Sequence, residues 1–135
     1  MYSSEIEIRV RYAETDRMGY VYYGNYAVYF EVARVEALRK IGVSYKSLED
    51  SGILLPVSEY HVKYLLPAYY DDLLLIKSNI IALPSARIFF EYRTYRENQL
   101  LNTGATTLVF VDKRSGKPVR CPEEITQRLS AFFSE

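Results

Sequence analysis

The chain has 135 residues, 49% of them hydrophobic and 25% charged, so it is expected to form one domain over residues 1–135. Seventeen basic and seventeen acidic residues cancel, which argues against nucleic acid or an anionic membrane as a partner. One cysteine and one histidine exclude an internal disulfide and argue against a structural zinc site. The sequence implies no metal and no cofactor.

The beginning of the chain does not resemble a targeting segment. Its first residues, MYSSEIEIRV, carry acids and lack an uninterrupted apolar core. The longest apolar runs, such as LLLI, are too short to cross a bilayer. The sequence therefore predicts a cytoplasmic protein that does not bind a membrane.

The first part of the chain predicts a strand followed by a long helix. Charged and apolar residues alternate from residue 5 to residue 11, which is typical of a strand. From Asn25 to Ile41 the pattern becomes helical, with no Gly or Pro inside and Gly42 placed to end it. Apolar side chains spread around most of this helix, so we expect other elements to wrap it.

The rest of the chain predicts a sheet and a short closing helix that begins at Pro122. Short connections between the strands indicate antiparallel neighbours in a four-strand meander. The predicted fold class is α+β, with a curved antiparallel sheet around the long first helix. The predicted strands cover residues 53–66, 72–83, 86–96 and 101–113.

The stretch ETDRMGYVYYGNYAVYFEVAR places a single aspartate between the first strand and the long helix. Asp16 lies nine residues before Asn25, too far to cap that helix. Gly19 permits a backbone geometry that other residues resist. The backbone amides around Tyr23, Gly24 and Asn25 are expected to be unpaired at the helix start and to carry partial positive charge.

These groups suggest acyl transfer. A carbonyl oxygen bound by the helix-start amides would lie in an oxyanion hole, and Asp16 would attack the carbonyl carbon or activate a water. A thioester is a suitable substrate for a site with so few catalytic groups, because a thiolate leaves without the help of a strong acid. From spacing alone, a purely structural turn remains the alternative.

Two blocks carry a family resemblance. From Tyr12 to Arg34, the pattern Y-x-E-T-D-x-x-G-Y-V-Y-Y-x-N-Y-x-x-Y-F-E-x-A-R resembles the signature of the 4-hydroxybenzoyl-CoA thioesterase family of hot-dog-fold proteins. From Lys63 to Leu74, KYLLPAYYDDLL is similar to the next recognisable stretch of that family. The resemblance implies a homodimer whose sheets join, or a homotetramer. It also implies hydrolysis of an acyl-CoA to a carboxylic acid and free CoA at a subunit interface.

The resemblance assigns catalytic roles to four residues. Asp16 matches the catalytic carboxylate, which acts as nucleophile or general base. Tyr23 matches the position whose backbone amide polarises the thioester carbonyl, and the Gly24 and Asn25 positions complete that helix start. Many bacterial members carry a histidine where this chain has Tyr23, so a possible acid–base helper is missing although the amide is retained.

The resemblance also suggests substrate contacts. Arg87, beside the Pro84-Ser85 turn, matches the region that holds the CoA nucleotide, and Lys63 is a weaker candidate for a phosphate. The aromatic side chains near the helix start are expected to shape the acyl pocket. The residues predicted around the acyl group are Gly19, Tyr20, Tyr22 and Tyr26.

Three further side chains are interpreted as structural. Some hot-dog thioesterases use a helix glutamate, but Glu31 with Arg34 at i+3 is typical of a structural pair. His61 has no triad or metal-ligand pattern around it. Cys121 precedes a helix start, where a thiolate is favoured, but it lacks a histidine partner.

Two other functions stay open at this level. A hot-dog domain that binds an acyl-CoA without hydrolysing it would not need Asp16 opposite a helix start. An acyl-carrier-protein thioesterase would differ only in what presents the thioester. The acyl group itself cannot be read from the sequence.

Overall fold

The computed structural model describes residues 1–133 and shows a curved antiparallel sheet packed on one long helix. A single 3-10 turn at Tyr12–Glu14 follows the first strand. The helices and strands are β1 Tyr2–Arg9, α1 Asn25–Lys40, α2 Tyr45–Asp50, β2 Ile53–Leu54, β3 Val57–Tyr64, β4 Leu73–Ile80, β5 Arg87–Arg96, β6 Gln99–Val109, β7 Val111–Asp112 and α3 Glu123–Ser130.

The main sheet has the strand order β1-β4-β5-β6-β3, so the predicted four-strand meander is wrong in one respect. Strands β4, β5 and β6 form a meander, but β3 pairs with β6 rather than β4. The connection from β3 to β4 is held across the end of the β5–β6 hairpin, because the amides of Leu65 and Leu66 donate to Leu101 O at 2.9 and 3.0 Å.

Two other boundaries differ from the prediction. The segment 53–66 is split by Pro56 into β2, which pairs with β7, and β3. The helix α2 was not predicted, since its six residues are too few for a clear helical period. Ser44 caps this helix by accepting a hydrogen bond from Ser47 N at 3.0 Å.

The inner face of α1 packs on the concave side of the sheet. Phe30 stacks on Tyr92 of β5 with ring centroids 4.4 Å apart, and it lies over Gly104 of β6. The opposite side of the helix is open, because Val28 and Val32 are 50% and 42% exposed. The expectation that the sheet covers α1 on most sides therefore holds only for the inner face.

The closing helix α3 packs against the hydrophobic core. Ile125 and Leu129 are fully buried, whereas Phe132, beyond the end of the helix, is exposed and has its ring 4.7 Å from that of Tyr2. Within residues 1–133, no helix combines the length and apolar character needed to cross a membrane. The cytoplasmic location stays a prediction.

Candidate active site

Asp16 organises its own loop through one carboxylate oxygen. Its Oδ1 accepts hydrogen bonds from the amides of Met18 at 2.9 Å and Tyr20 at 3.2 Å. Gly19 has φ +83° and donates its amide to Asp16 O at 2.9 Å, a left-handed geometry that favours glycine. Asp16 Oδ2 has no hydrogen-bond partner among residues 1–133, so this oxygen is available to a ligand.

The helix start next to this loop presents two free amides. In the part of the chain that the structure describes, neither Tyr23 N nor Gly24 N donates to a protein acceptor. The expectation of an unpaired amide is wrong for Asn25, because a turn before the helix directs Asn25 N to Tyr22 O at 2.9 Å. The unpaired donors at the start of α1 are therefore those of Tyr23 and Gly24, which immediately precede the helix.

Asp16 and Tyr23 line the same crevice, which has a volume of about 250 Å³. Tyr26 and Val21 are buried, and Met18 and Tyr23 are exposed. Most of the lining is apolar or aromatic, as in small-molecule sites generally. The complete lining is Asp16, Met18, Tyr20, Val21, Tyr23, Tyr26, Tyr64, Leu65, Leu66 and Pro67.

Part of this lining was missed from the sequence. Tyr64, Leu65, Leu66 and Pro67 come from the segment after β3, which is distant from Asp16 along the chain. Their block, KYLLPAYYDDLL, was recognised as a family feature but was given no role in the acyl pocket. This block was therefore the sequence signal that could have identified these lining residues.

Glu14 is a buried carboxylate two positions before Asp16. Its Oε1 accepts from Arg11 N at 2.9 Å and from Tyr29 Oη at 3.0 Å, and its Oε2 pairs with Arg11 Nη2 at 2.6 Å. Burial raises the pKa of Glu14, but the hydrogen bonds from Arg11 and Tyr29 outweigh it and hold the pKa below its usual value. Sequence reasoning gave this residue no role.

The predicted substrate contacts are not all gathered at the crevice. Tyr22 does not line the crevice. Its ring packs against the ring of Tyr23 and against Gly24. Gly19 also lies outside the lining and acts through the loop conformation. Lys63 lies on the outer face of the sheet, where it lines a different hollow with His61 and other residues of β3, β5 and β6.

Arg87 lies far from the crevice within one protomer. It begins β5, whereas Arg96 at the other end of that strand donates to Pro67 O at the crevice wall, at 3.1 Å. A strand rises by about 3.3 Å per residue, so the two ends are roughly 30 Å apart. Arg87 of the same protomer therefore does not reach the crevice.

The three other candidates are not part of the crevice. Glu31 is exposed on α1, and among the described residues no ion pair joins it to the buried Arg34. His61 is exposed, with Nε2 3.6 Å from a Glu59 carboxylate oxygen. Burial raises the pKa of Cys121 to about 12, so its thiol is protonated near neutral pH and is a poor nucleophile.

A curved antiparallel sheet on a long helix, with an acidic loop at the helix start, defines a hot-dog protein of the thioesterase type. The family model described as the thioesterase-like superfamily matches residues 10–129. The chain therefore belongs to this superfamily, and the predicted α+β hot-dog fold is confirmed. The finer assignment to 4-hydroxybenzoyl-CoA stays a prediction.

Similar proteins agree with this membership. The chain is 36% identical over 121 residues to the putative acyl-CoA thioesterase YneP of Bacillus subtilis, covering 89% of this chain and 88% of that one. It is 33% identical over 119 residues to the acyl-CoA thioesterase YbgC of Haemophilus influenzae, covering 87% and 88%. The expectation of an enzyme of the thioester-hydrolase class is confirmed by these relatives.

A solved structure is similar over nearly the whole chain. The DHNA-CoA thioesterase of Staphylococcus aureus superimposes with a TM-score of 0.90 and 34% identity, covering 98% of this chain and 90% of that one. The arrangement of α1 inside the sheet is therefore shared with a thioesterase of known structure.

Proposed function

We propose that the protein hydrolyses an acyl-CoA thioester to a carboxylic acid and free CoA. The observation that supports this proposal is that Asp16, whose Oδ2 has no partner among residues 1–133, and Tyr23, whose amide is unpaired there, line one crevice, with the unpaired amide of Gly24 next along the chain. The names of the relatives in B. subtilis and H. influenzae support CoA as the thiol.

In the proposed reaction, the thioester carbonyl oxygen accepts hydrogen bonds from Tyr23 N and Gly24 N. The partial positive charge at the start of α1 adds to their effect on the developing oxyanion. Loss of one such donor typically lowers kcat about 10²- to 10³-fold. Because the donors are backbone groups, the tyrosine side chain at position 23 does not weaken this role.

Asp16 supplies the oxygen that opens the thioester. As a general base it takes a proton from water, the hydroxyl adds to the carbonyl carbon, and the C–S bond breaks to release CoA thiolate. As a nucleophile it forms a mixed anhydride with release of thiolate, and water then hydrolyses the anhydride. Both routes use the same Oδ2 and end with a carboxylic acid and CoA.

We also propose that the active enzyme is a homodimer or a homotetramer joined through β3. This strand is a free edge of the sheet, and Val57, Tyr60 and Tyr64 are exposed along it. Antiparallel pairing of β3 with β3 of a second copy sets the Val57 end of one copy beside the Tyr64 end of the other. Such an edge is a ready surface for strand pairing.

This pairing would give Arg87 its proposed role. Arg87 lies at the same end of the sheet as Val57, since Ile88 and Val57 both pair with Leu108. In a second copy, β5 would follow β3 and β6 and lie about 14 Å from the first copy's β3, at about 4.8 Å per strand. Arg87 of one copy then binds phosphate of the CoA held in the other copy's crevice.

The proposal is tested by thiol release from a panel of acyl-CoAs. In Asp16→Asn, Oδ1 still accepts from Met18 N and Tyr20 N, so the loop is retained while the reactive carboxylate is lost. We expect kcat to fall by about 10³-fold or more with substrate binding retained. Asp50→Asn, an exposed acid at the end of α2, is the matched control and should keep full activity.

Two results would contradict the proposal. Tight acyl-CoA binding without Asp16-dependent thiol release would indicate a binding domain. Turnover of acyl-carrier-protein thioesters alone would assign the activity to that substrate class.

A further inference from the structure

We propose that Glu14 is a positioning residue that fixes the Asp16 loop against the first turn of α1, an inference that rests on the proposed role of Asp16. Glu14 does not line the crevice. Its carboxylate is already engaged by Arg11 and Tyr29. It therefore acts on the reaction through the geometry of its neighbours.

The side chain of Glu14 anchors one end of the loop. Tyr29 is a buried residue of the second turn of α1, and its hydroxyl donates to Glu14 Oε1 at 3.0 Å. Arg11 holds the carboxylate through its backbone amide and its guanidinium. A hydrogen-bonded buried carboxylate is costly to leave without its donors, so the position of Glu14 relative to α1 is strongly determined.

The backbone carbonyl of Glu14 joins the two catalytic segments directly. It accepts from Asn25 Nδ2 at 2.8 Å and from Tyr22 N at 2.8 Å. Asn25 is the first residue of α1, and Tyr22 is adjacent to the free amide of Tyr23. The carbonyl oxygen of Glu14 thus accepts one hydrogen bond from a residue before the helix and one from the first residue of the helix.

The loop between these contacts is closed on itself. Thr15 and Val21 form an antiparallel bridge, and Asp16 N donates to Tyr20 O at 2.7 Å. Asp16 therefore lies in the segment before the turn, and Tyr22–Tyr23 lie in the segment after it. Glu14 lies where the two segments are hydrogen-bonded to each other. The separation between the reactive carboxylate and the oxyanion donors is set by the hydrogen bonds of Glu14 and Asn25.

Small changes in this separation are expected to lower the rate of catalysis. A displacement of about 1 Å of a reacting group can cost roughly 10²-fold in rate. The position of Glu14 in the structure therefore predicts an effect on kcat that is larger than its effect on substrate binding.

The test compares Glu14→Gln and Asn25→Ala with wild type. Glu14→Gln weakens the Arg11 pairing, while Asn25→Ala removes a donor to the Glu14 carbonyl and leaves the Glu14 carboxylate network intact. We expect each to lower kcat about 10- to 100-fold with KM changed less than about threefold. Glu36→Gln removes a half-buried carboxylate, paired with Arg39 at 3.1 Å, that lies outside the crevice, and this variant should keep wild-type kinetics.

The decisive measurement repeats Glu14→Gln in the Asp16→Asn background. If Glu14 acts through Asp16, the second substitution lowers the residual rate by less than about twofold, because residues acting as a unit are not additive. An equal loss in both backgrounds would overturn the proposal, and so would wild-type kcat in folded Asn25→Ala and Glu14→Gln. A wild type without Asp16-dependent hydrolysis would instead refute the proposed function on which the inference rests.

Discussion

At the scale of single residues, buried hydroxyl groups of the sheet differ in whether they have a partner. Thr106 Oγ1 and Tyr92 Oη are 2.6 Å apart, and both residues are buried. Thr94 is fully buried on β5, and its Oγ1 has no hydrogen-bond partner among residues 1–133. Leaving a buried group without its hydrogen-bond partner lowers stability by about 1–3 kcal/mol. Replacing a hydroxyl that has no partner by an apolar group of the same shape is nearly neutral.

Two valine substitutions should therefore have different effects on stability. Thr106→Val removes the 2.6 Å hydrogen-bond partner of the buried Tyr92 hydroxyl, so we expect the free energy of unfolding to fall by about 1–3 kcal/mol. Thr94→Val loses no partner and should change it by less than about 0.5 kcal/mol or raise it. Urea unfolding at constant m-value measures both. A larger loss in Thr94→Val than in Thr106→Val would show that the Thr94 hydroxyl is satisfied in solution.

Two residues of the motif were predicted to lie close together, and the structure agrees. Asp16 and Tyr23 were assigned to one site, and the structure puts both on one crevice, because a short loop and a helix start impose local geometry. Leu65 and Leu66 were not assigned, since they reach the crevice through the crossing after β3. The catalytic role of Asp16 stays a prediction until the variant is measured.

At the scale of secondary-structure elements, α1 packs closely against the sheet at Gly104. A Cβ built on this residue would lie 2.6 Å from Phe30 Cε2. Phe30 cannot easily move away, because it is fully buried and stacked on Tyr92. Glycine at this position therefore allows the contact between α1 and β6.

Gly104→Ala is expected to destabilise the fold. Overpacking a close-packed core typically costs about 1–3 kcal/mol, and the loss should appear as a lower unfolding midpoint. Thr103→Ala, whose side chain lies on the opposite face of β6, is the matched control. If the cost comes from the clash, combining Gly104→Ala with Phe30→Leu should cost less than the sum of the two. Strict additivity would place the cost in the strand backbone instead.

The elements were predicted more reliably than their order in the sheet. The helix α1 was placed within one residue of its observed end, because its long pattern is bounded by Gly42. The placement of β3 beside β6 depends on backbone hydrogen bonds of the crossing, such as Leu65 N to Leu101 O. A strand pattern carries no signal for such a partner, and short connections favour the wrong neighbour.

At the scale of the whole molecule, the two edges of the sheet differ. On the β1 edge, Lys40 Nζ donates to Glu5 O at 2.7 Å and to Ser4 Oγ at 3.0 Å, so a charged side chain occupies part of it. On the β3 edge, Tyr60 and Tyr64 are exposed. A side chain bound to a backbone carbonyl of an edge strand makes that carbonyl unavailable for strand pairing. This difference favours β3 as the surface for the proposed self-association.

If Arg87 of one copy serves the crevice of another, two defective variants should complement each other. Arg87→Glu alone should raise KM for acyl-CoA with little change in kcat, and Asp16→Asn alone should lower kcat by about 10³-fold or more. In a mixed dimer, Asp16 of the Arg87→Glu copy meets Arg87 of the Asp16→Asn copy, which makes one intact site. Mixing equal amounts of the purified variants and allowing subunit exchange should therefore add a component of turnover at the wild-type KM, with about half the wild-type kcat per mixed dimer.

The control for this experiment blocks the shared edge. Tyr60→Glu places a carboxylate on β3, so it should lower the molar mass measured by light scattering and prevent complementation, because like charges would oppose each other across the junction. Ser3→Glu, on the β1 edge, should leave the mass unchanged. If Arg87 instead contacted the crevice of its own copy, the mixture would contain only the high-KM activity of the Arg87→Glu sites. That result, obtained with a dimer of normal mass, would remove Arg87 from the proposed inter-copy site.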